Sequence, residues 1–135
     1  MKIKLHEIVD LKLYMDLPVQ TKINLNVLHR CLLAVREASD IPMVIRTPQR
    51  LMAGFRTEEM QRLIYKGKDA PMGSLHLLGA AADVLDFDGV LKKWILDNLE
   101  FCEHLGLYFE SFDVSPTWAH IQIFPPASGN RFFKP

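Results

Sequence analysis

The feature that most constrains this chain is a carboxylate inside its least polar stretch, Leu75-His76-Leu77-Leu78-Gly79-Ala80-Ala81-Ala82-Asp83-Val84-Leu85. Burying an ionised carboxyl is costly unless the group is paired or holds a metal, so Asp83 in an Ala-Ala-Ala-Asp-Val-Leu strand requires a partner. His76, seven positions earlier, is the nearest residue able to share one. Gly79 lets the chain turn and pass close to another segment, and the three alanines leave room for a cleft beside the strand.

A second histidine meets the same requirement. In Thr117-Trp118-Ala119-His120-Ile121-Gln122-Ile123, strand alternation puts Trp118, His120 and Gln122 on one face and Ala119, Ile121 and Ile123 on the other. The polar face of this late strand can meet the His76/Asp83 strand. Two imidazole nitrogens and one carboxylate oxygen form a three-ligand zinc set with the fourth position open, an arrangement that acidifies water and polarises a carbonyl. Hydrolysis is the chemistry expected of such a site.

The rest of the sequence frames this pair of strands. Thr21 to Ala38 carries Leu25, Leu28, Leu32 and Val35 at three-and-four spacing, one face of a helix, bounded by Pro18 and by Asp40-Ile41-Pro42. Met43-Val44-Ile45 is a short β-prone run. Thr57 caps a helix whose first turn holds Glu58 and Glu59, and Lys66 to Gly73 ends it in a loop. Ala80 to Phe87 reads as a central strand, and Gly89 opens one helix to about His104 with Leu91, Ile95, Leu99 and Cys102 as its buried stripe. Gly106 stops it. Leu107 to Phe112 and Thr117 to Phe124 read as adjacent antiparallel strands, followed by an extended, turn-rich tail. Asp86 and Asp88 read as a solvated turn, and Arg46, Arg50, Lys66 and Lys68 as solvated surface charges. Helices come first and most strands late, so the expected fold is α+β: a small antiparallel sheet packed by N-terminal and central helices, with the zinc site in a cleft on the sheet.

Length and charge narrow the function classes. The 135 residues fit one domain, 1–135, and 49% of them are apolar. Sixteen basic residues balance sixteen acidic ones, which argues against a nucleic-acid partner or an anionic membrane surface, since both need a net basic face. Two cysteines, Cys31 and Cys102, are too few for a disulfide scaffold and read as buried thiols. The amino terminus lacks a signal-peptide pattern and no apolar run is long enough to span a bilayer, so the expectation is cytoplasmic synthesis without membrane insertion.

The residues resemble the zinc D-alanyl-D-alanine carboxypeptidase family of peptidoglycan peptidases, which includes phage endolysins that cut L-alanyl-D-glutamate bonds. The likeness rests on Ser74, His76, Gly79, Ala81 and Asp83 at the family spacing, on Trp118-Ala119-His120, and on Gly54-Phe55-Arg56-Thr57, which is similar to the family's Gly-Tyr-Arg-Ser segment. It covers roughly residues 45 to 124. Short phage-type members are the nearest in pattern, with a Leu-Gly-Leu strand, a Thr-Trp-x-His strand and a tail bearing Ser-Gly-x-Arg.

The resemblance implies that His76, Asp83 and His120 ligate zinc, that Arg56 contacts substrate and steadies an oxyanion, and that Ser74 lies behind the ligands or against substrate. Gln61, Gln122 and Trp118 are further candidate cleft residues. The family places a Glu or Asp three positions before the last histidine as general base, whereas this chain has Thr117 there. Asp113 and Glu110, just upstream, are the nearest carboxylates that can take over. The expected function is a monomeric, phage- or prophage-encoded zinc metallopeptidase acting on peptidoglycan stem peptides, at the cell wall after lysis-type release or as a virion component. The alternative is a catalytically weak or inactive cell-wall binding or phage structural module that keeps the fold; a Hedgehog-like signalling domain, which shares the zinc architecture, is a more distant third.

Overall fold

The computed structural model describes residues 2–66 and 68–135. Its five helices are α1 (Leu11–Tyr14), α2 (Val19–Ser39), α3 (Glu58–Ile64), α4 (Val90–Asp97) and α5 (Leu99–His104). Two 3₁₀ turns, Leu5–Glu7 and Leu75–Leu78, accompany them. The strands are β1 (Ala81–Leu85), β2 (Tyr108–Glu110), β3 (Trp118–Gln122) and β4 (Phe132–Phe133), in the order β1-β3-β2-β4. The fold is α+β, as the sequence implies.

Helix α2 is the long backing element. Its buried positions Thr21, Asn24, Leu25, Leu28, Leu32 and Val35 include every residue of the expected apolar face. Burying each such leucine contributes about 1.5–3 kcal/mol, so this stripe fixes α2 against the sheet more firmly than intrinsic helix propensity does. The core it joins contains Val84, Phe109, Ala119 and Ile121 from the strands and Leu91, Ile95 and Cys102 from α4 and α5. Cys102 is buried and Cys31 half-buried, both as free thiols. No helix among the described residues is long and apolar enough to cross a membrane.

Gly79 is the point at which the 3₁₀ turn becomes strand β1. Its φ is +71°, and a Cβ there would lie 2.7 Å from Leu25 Cγ. The close approach expected of this glycine is therefore to α2. Thr57 caps α3 as expected, its side chain accepting from Met60 N at 3.1 Å. Gly67, in the loop after α3, lies outside the described residues.

The sheet departs from the antiparallel expectation: it is mixed. β1 and β2 both pair antiparallel with β3, but β4 runs parallel to β2, with Phe109 opposite Phe132 and Glu110 opposite Phe133. The extended, turn-rich tail returns along the outer edge of β2 as β4. Arg131 Nη1 donates to Leu107 O, and Phe132 stacks on Phe109 with ring centroids 5.3 Å apart. Burial of these rings against the sheet holds the short strand.

Four other local expectations change. The Gly89–His104 helix is broken at Asn98, whose φ/ψ of −128°/36° leaves the helical region while its side-chain amide donates to Trp94 O at 2.9 Å. That competition between side chain and backbone is a recognised helix breaker. Met43–Ile45 forms no strand, because Arg50 takes the carbonyls of Val44 and Ile45; only Leu85 N reaches Val44 O, at 2.8 Å. Arg50 also donates to Asp83 O, so it is a clasp along the outer edge of β1 rather than a solvated charge. Asp86 is buried rather than solvated, accepting from Leu91 N and Lys92 N at 3.0 Å each and so capping α4.

Candidate metal centre

The site follows from strand register. Asp83 on β1 lies directly opposite His120 on β3, so their side chains share one face at the distance where cross-strand pairs interact. His76 comes from the 3₁₀ turn that Gly79 aims back onto the start of β1. Arg56 N donates to His76 O at 3.1 Å, stitching the Gly54–Thr57 segment to that turn. Elements far apart in sequence thus meet around one carboxylate.

Asp83 Oδ1 is 2.9 Å from His120 Nδ1 and 3.4 Å from His76 Nε2. Side-chain ligand atoms of the three residues all lie within 4.8 Å of one another. A tetrahedral ion with bonds of about 2.0–2.1 Å holds neighbouring ligand atoms about 3.3 Å apart, close to the two distances from Asp83 Oδ1 to the histidines. His76 and His120 are buried, and the Asp83 side chain is 14% exposed.

The hydrogen bonds on the far side of each imidazole decide what the near side offers. His76 Nδ1 lies 2.8 Å from Gly54 O, and a carbonyl only accepts, so the ring proton is on Nδ1 and the Nε2 lone pair faces Asp83. His120 Nε2 lies 2.8 Å from Gln122 Oε1, and Gln122 Nε2 in turn donates to Phe124 O at 2.8 Å. The amide oxygen is therefore turned to His120, whose Nδ1 lone pair faces Asp83 when the ring is neutral. Two nitrogen lone pairs and an anionic oxygen converge on one point, which demands a cation there, either a proton or a metal ion. Tying the outer imidazole N–H to a carbonyl or amide is how metal-binding histidines are oriented.

Titration behaviour agrees with this geometry. Burial works to raise the Asp83 pKa, but the charges and hydrogen bonds of His76 and His120 outweigh it and hold the carboxyl far below its usual range. Burial lowers His76, only partly offset by Asp83, and Arg56 and His120 push in the same direction. For His120 burial acts toward the neutral ring, yet the hydrogen bond and charge of Asp83, the Gln122 bond and the Glu110 charge raise its pKa overall. The opposite directions of the two shifts make His120, rather than His76, the imidazole that favours a proton.

Arg56 closes the other side. Its Nη2 meets Asp83 Oδ2 at 3.2 Å, Nη1 meets Gln61 Oε1 at 3.1 Å and Nε donates to Met52 O at 2.7 Å. The guanidinium thus occupies one carboxylate oxygen and leaves the other to the histidines. Gln61, fully buried, bridges Arg56 and Pro71 O. Gln122 likewise bridges His120 and Phe124. Both glutamines line the cleft, and these bonds also orient Arg56 and His120.

The group opens into a cleft of about 610 Å³ lined by Arg56, Gln61, Ser74, Glu110, Trp118 and Gln122, with Tyr65, Pro125 and Phe133 among its walls. Ser74 caps the 3₁₀ turn, its Oγ accepting from His76 N at 3.4 Å. Of the two candidate carboxylates, Glu110 lines the cleft, whereas Asp113 sits in an exposed turn and does not. Continuing the β2/β3 register one step past Phe109↔Ile121 brings Glu110 toward His120, so Asp83, His120 and Glu110 form one row across three strands. Thr117 is half-buried and absent from the cleft lining.

The roles of two residues were missed by sequence reasoning. Gly54 supplies the carbonyl for His76, and a Cβ there would come within 2.1 Å of Ile8 O, so the position admits only glycine. Gln122 as the partner of His120 was within reach, since residues i and i+2 of a strand share a face. Comparison with protein-family models, curated proteins and solved structures returns no match. The His76–Asp83–His120 group, which can hold a metal ion, is thus the chemical fact on which a functional reading rests.

Proposed function

We propose that this protein is a zinc-dependent metallopeptidase that hydrolyses peptidoglycan stem peptides, of the D-Ala-D-Ala carboxypeptidase or L-Ala-D-Glu endopeptidase type. The observation that carries the reading is the convergence of two oriented imidazole lone pairs and one carboxylate oxygen at the floor of an open cleft. Two nitrogens and one oxygen suit zinc better than the all-oxygen sets preferred by calcium or magnesium. The resemblance of the Ser74–Asp83, Trp118–His120 and Gly54–Thr57 segments to the peptidoglycan peptidases supplies the substrate class.

Zinc bound by His76, Asp83 and His120 would supply Lewis acidity toward the scissile carbonyl and lower the pKa of water. The chain's own groups supply the rest. Glu110 accepts a proton from the water that adds to the carbonyl carbon, then delivers it to the amide nitrogen as the C–N bond breaks, giving a carboxylic acid and a free amine. Arg56 holds Asp83 by Oδ2 and lines the cleft, where its permanent charge steadies the negative charge that builds on the carbonyl oxygen. Trp118 and Ser74 offer an apolar wall and a hydroxyl to the peptide.

The other reading, a cell-wall binding or phage structural module of the same fold, draws on Thr117 at the position where the family carries its base. The presence of Glu110 in the cleft favours the enzyme. Digestion of a defined muropeptide, with products weighed by mass spectrometry, tests the choice: mass gain of one water at a single peptide bond, abolished by a chelator and restored by zinc, is expected. Intact muropeptide in the presence of stoichiometric zinc would overturn the enzyme reading.

A further inference from the structure

Glu110 is held from behind by groups that the reaction itself does not use. Ser115 is completely buried, and its Oγ donates to Glu110 Oε1 at 3.2 Å. The Ser115 carbonyl accepts from Lys92 Nζ, a lysine 8% exposed on α4 that also lies 5.8 Å from the centre of the Phe112 ring. Asp86 fixes the start of that helix, accepting from Lys92 N while its own N donates to Thr117 O at 2.9 Å. The turn from Ser111 to Thr117 is thereby tied to α4 through Lys92 and to the end of β1 through Asp86. A buried lysine is expensive, and here it is spent on a single turn next to the cleft.

We propose that Ser115 is the positioning residue for the cleft carboxylate, its hydroxyl fixing the Glu110 side chain in one orientation while Lys92 locks the Ser115 backbone in place. This rests on Glu110 acting as the base in the peptidase reading. It also accounts for Thr117: with the carboxylate supplied from β2 and steadied by the turn, the position three before His120 is free to carry another residue. A carboxylate with free χ angles spends part of its time turned away from the water, and loss of alignment by about 1 Å can cost as much as 100-fold in rate.

The test compares the zinc-loaded full chain with Ser115→Ala and Lys92→Met. Ser115→Ala is expected to lower kcat roughly 10- to 100-fold on a stem peptide, with KM and bound zinc unchanged, because the lost bond orients a reacting group and does not bind the substrate. Lys92→Met should lower kcat in the same sense by a smaller factor. In the metal-free proteins, three-bond NMR couplings of Glu110 should report one χ1 rotamer in the parent and averaged rotamers in Ser115→Ala. If Ser115→Ala does not fold, Lys92→Met carries both readouts. An unchanged Glu110 rotamer, or unchanged kcat in an active enzyme, overturns the assignment. Should the parent hydrolyse nothing, the peptidase reading fails by itself, and the rotamer comparison still decides whether Ser115 orients Glu110.

Discussion

Replacing Gln122 with Met should weaken zinc binding without unfolding the protein. Gln122 Oε1 receives the His120 Nε2 proton at 2.8 Å in a site where both residues are buried. Methionine has nearly the same length but accepts poorly, so the Nε2–H is left unsatisfied at a cost of about 1–3 kcal/mol. The ring escapes that cost by moving its proton to Nδ1, which places an N–H where the metal-facing lone pair is needed. Because every 1.4 kcal/mol is about tenfold, zinc affinity should fall about 5- to 150-fold, in line with the 10–100-fold typical of lost outer partners. Competition with a chromogenic chelator measures the constant, and thermal melting of the metal-free protein reports any general loss of packing. Gln122→Glu keeps an acceptor at the same place and should retain affinity. Zinc binding by Gln122→Met equal to that of the parent would refute the claim that His120 coordinates through Nδ1 with its tautomer set by Gln122.

Other outcomes follow from the same contacts. Glu110→Gln should cut turnover about 10²–10⁴-fold while keeping its zinc, and Asp113→Asn, in the exposed turn, should cost far less; steady-state kinetics on a muropeptide decide between them. Arg56→Gln should lower metal affinity as well as turnover, since the guanidinium clamps Asp83 Oδ2; retained zinc affinity would return Arg56 to a purely substrate-facing role. Zinc uptake should release a proton and strengthen as pH rises, because the raised His120 pKa keeps its ring protonated to higher pH than usual; affinity should level off once pH passes that raised value, which calorimetry in several buffers would show. Gly54→Ala should destabilise the fold by at least about 1–3 kcal/mol, since its Cβ collides with the Ile8 carbonyl, and should lower zinc affinity through the displaced His76 acceptor; denaturant titration and chelator competition report the two effects.

What could be read from the sequence was what local chemistry dictates. The stripe of α2, the Thr57 cap and the turn at Gly79 depend on residues a few positions apart, and each stands as expected. Asp83 and His120 were legible because a polar residue in an apolar strand demands a partner, and the register sets the two opposite each other. The misread features depend on distant contacts. β4 exists only because Phe132 finds Phe109, the run at Met43–Ile45 loses its carbonyls to Arg50, and Asp86 is buried because α4 folds back over it. The glutamines line the cleft as expected, but only the structure shows their partners. Gln61 reaches Arg56 and Pro71, and Gln122 reaches His120, so both act through a neighbouring functional residue. Glu110 could be separated from Asp113 only once the β2/β3 register was known.

Native mass spectrometry of the purified full chain with zinc, run beside Asp83→Ala, tests the central claim most directly. One zinc per parent molecule, removed by chelator and regained on addition, with none on Asp83→Ala, is the predicted result. A parent that takes up no zinc, or an Asp83→Ala variant that binds it as tightly as the parent, would contradict the assignment of His76, Asp83 and His120 as one metal centre.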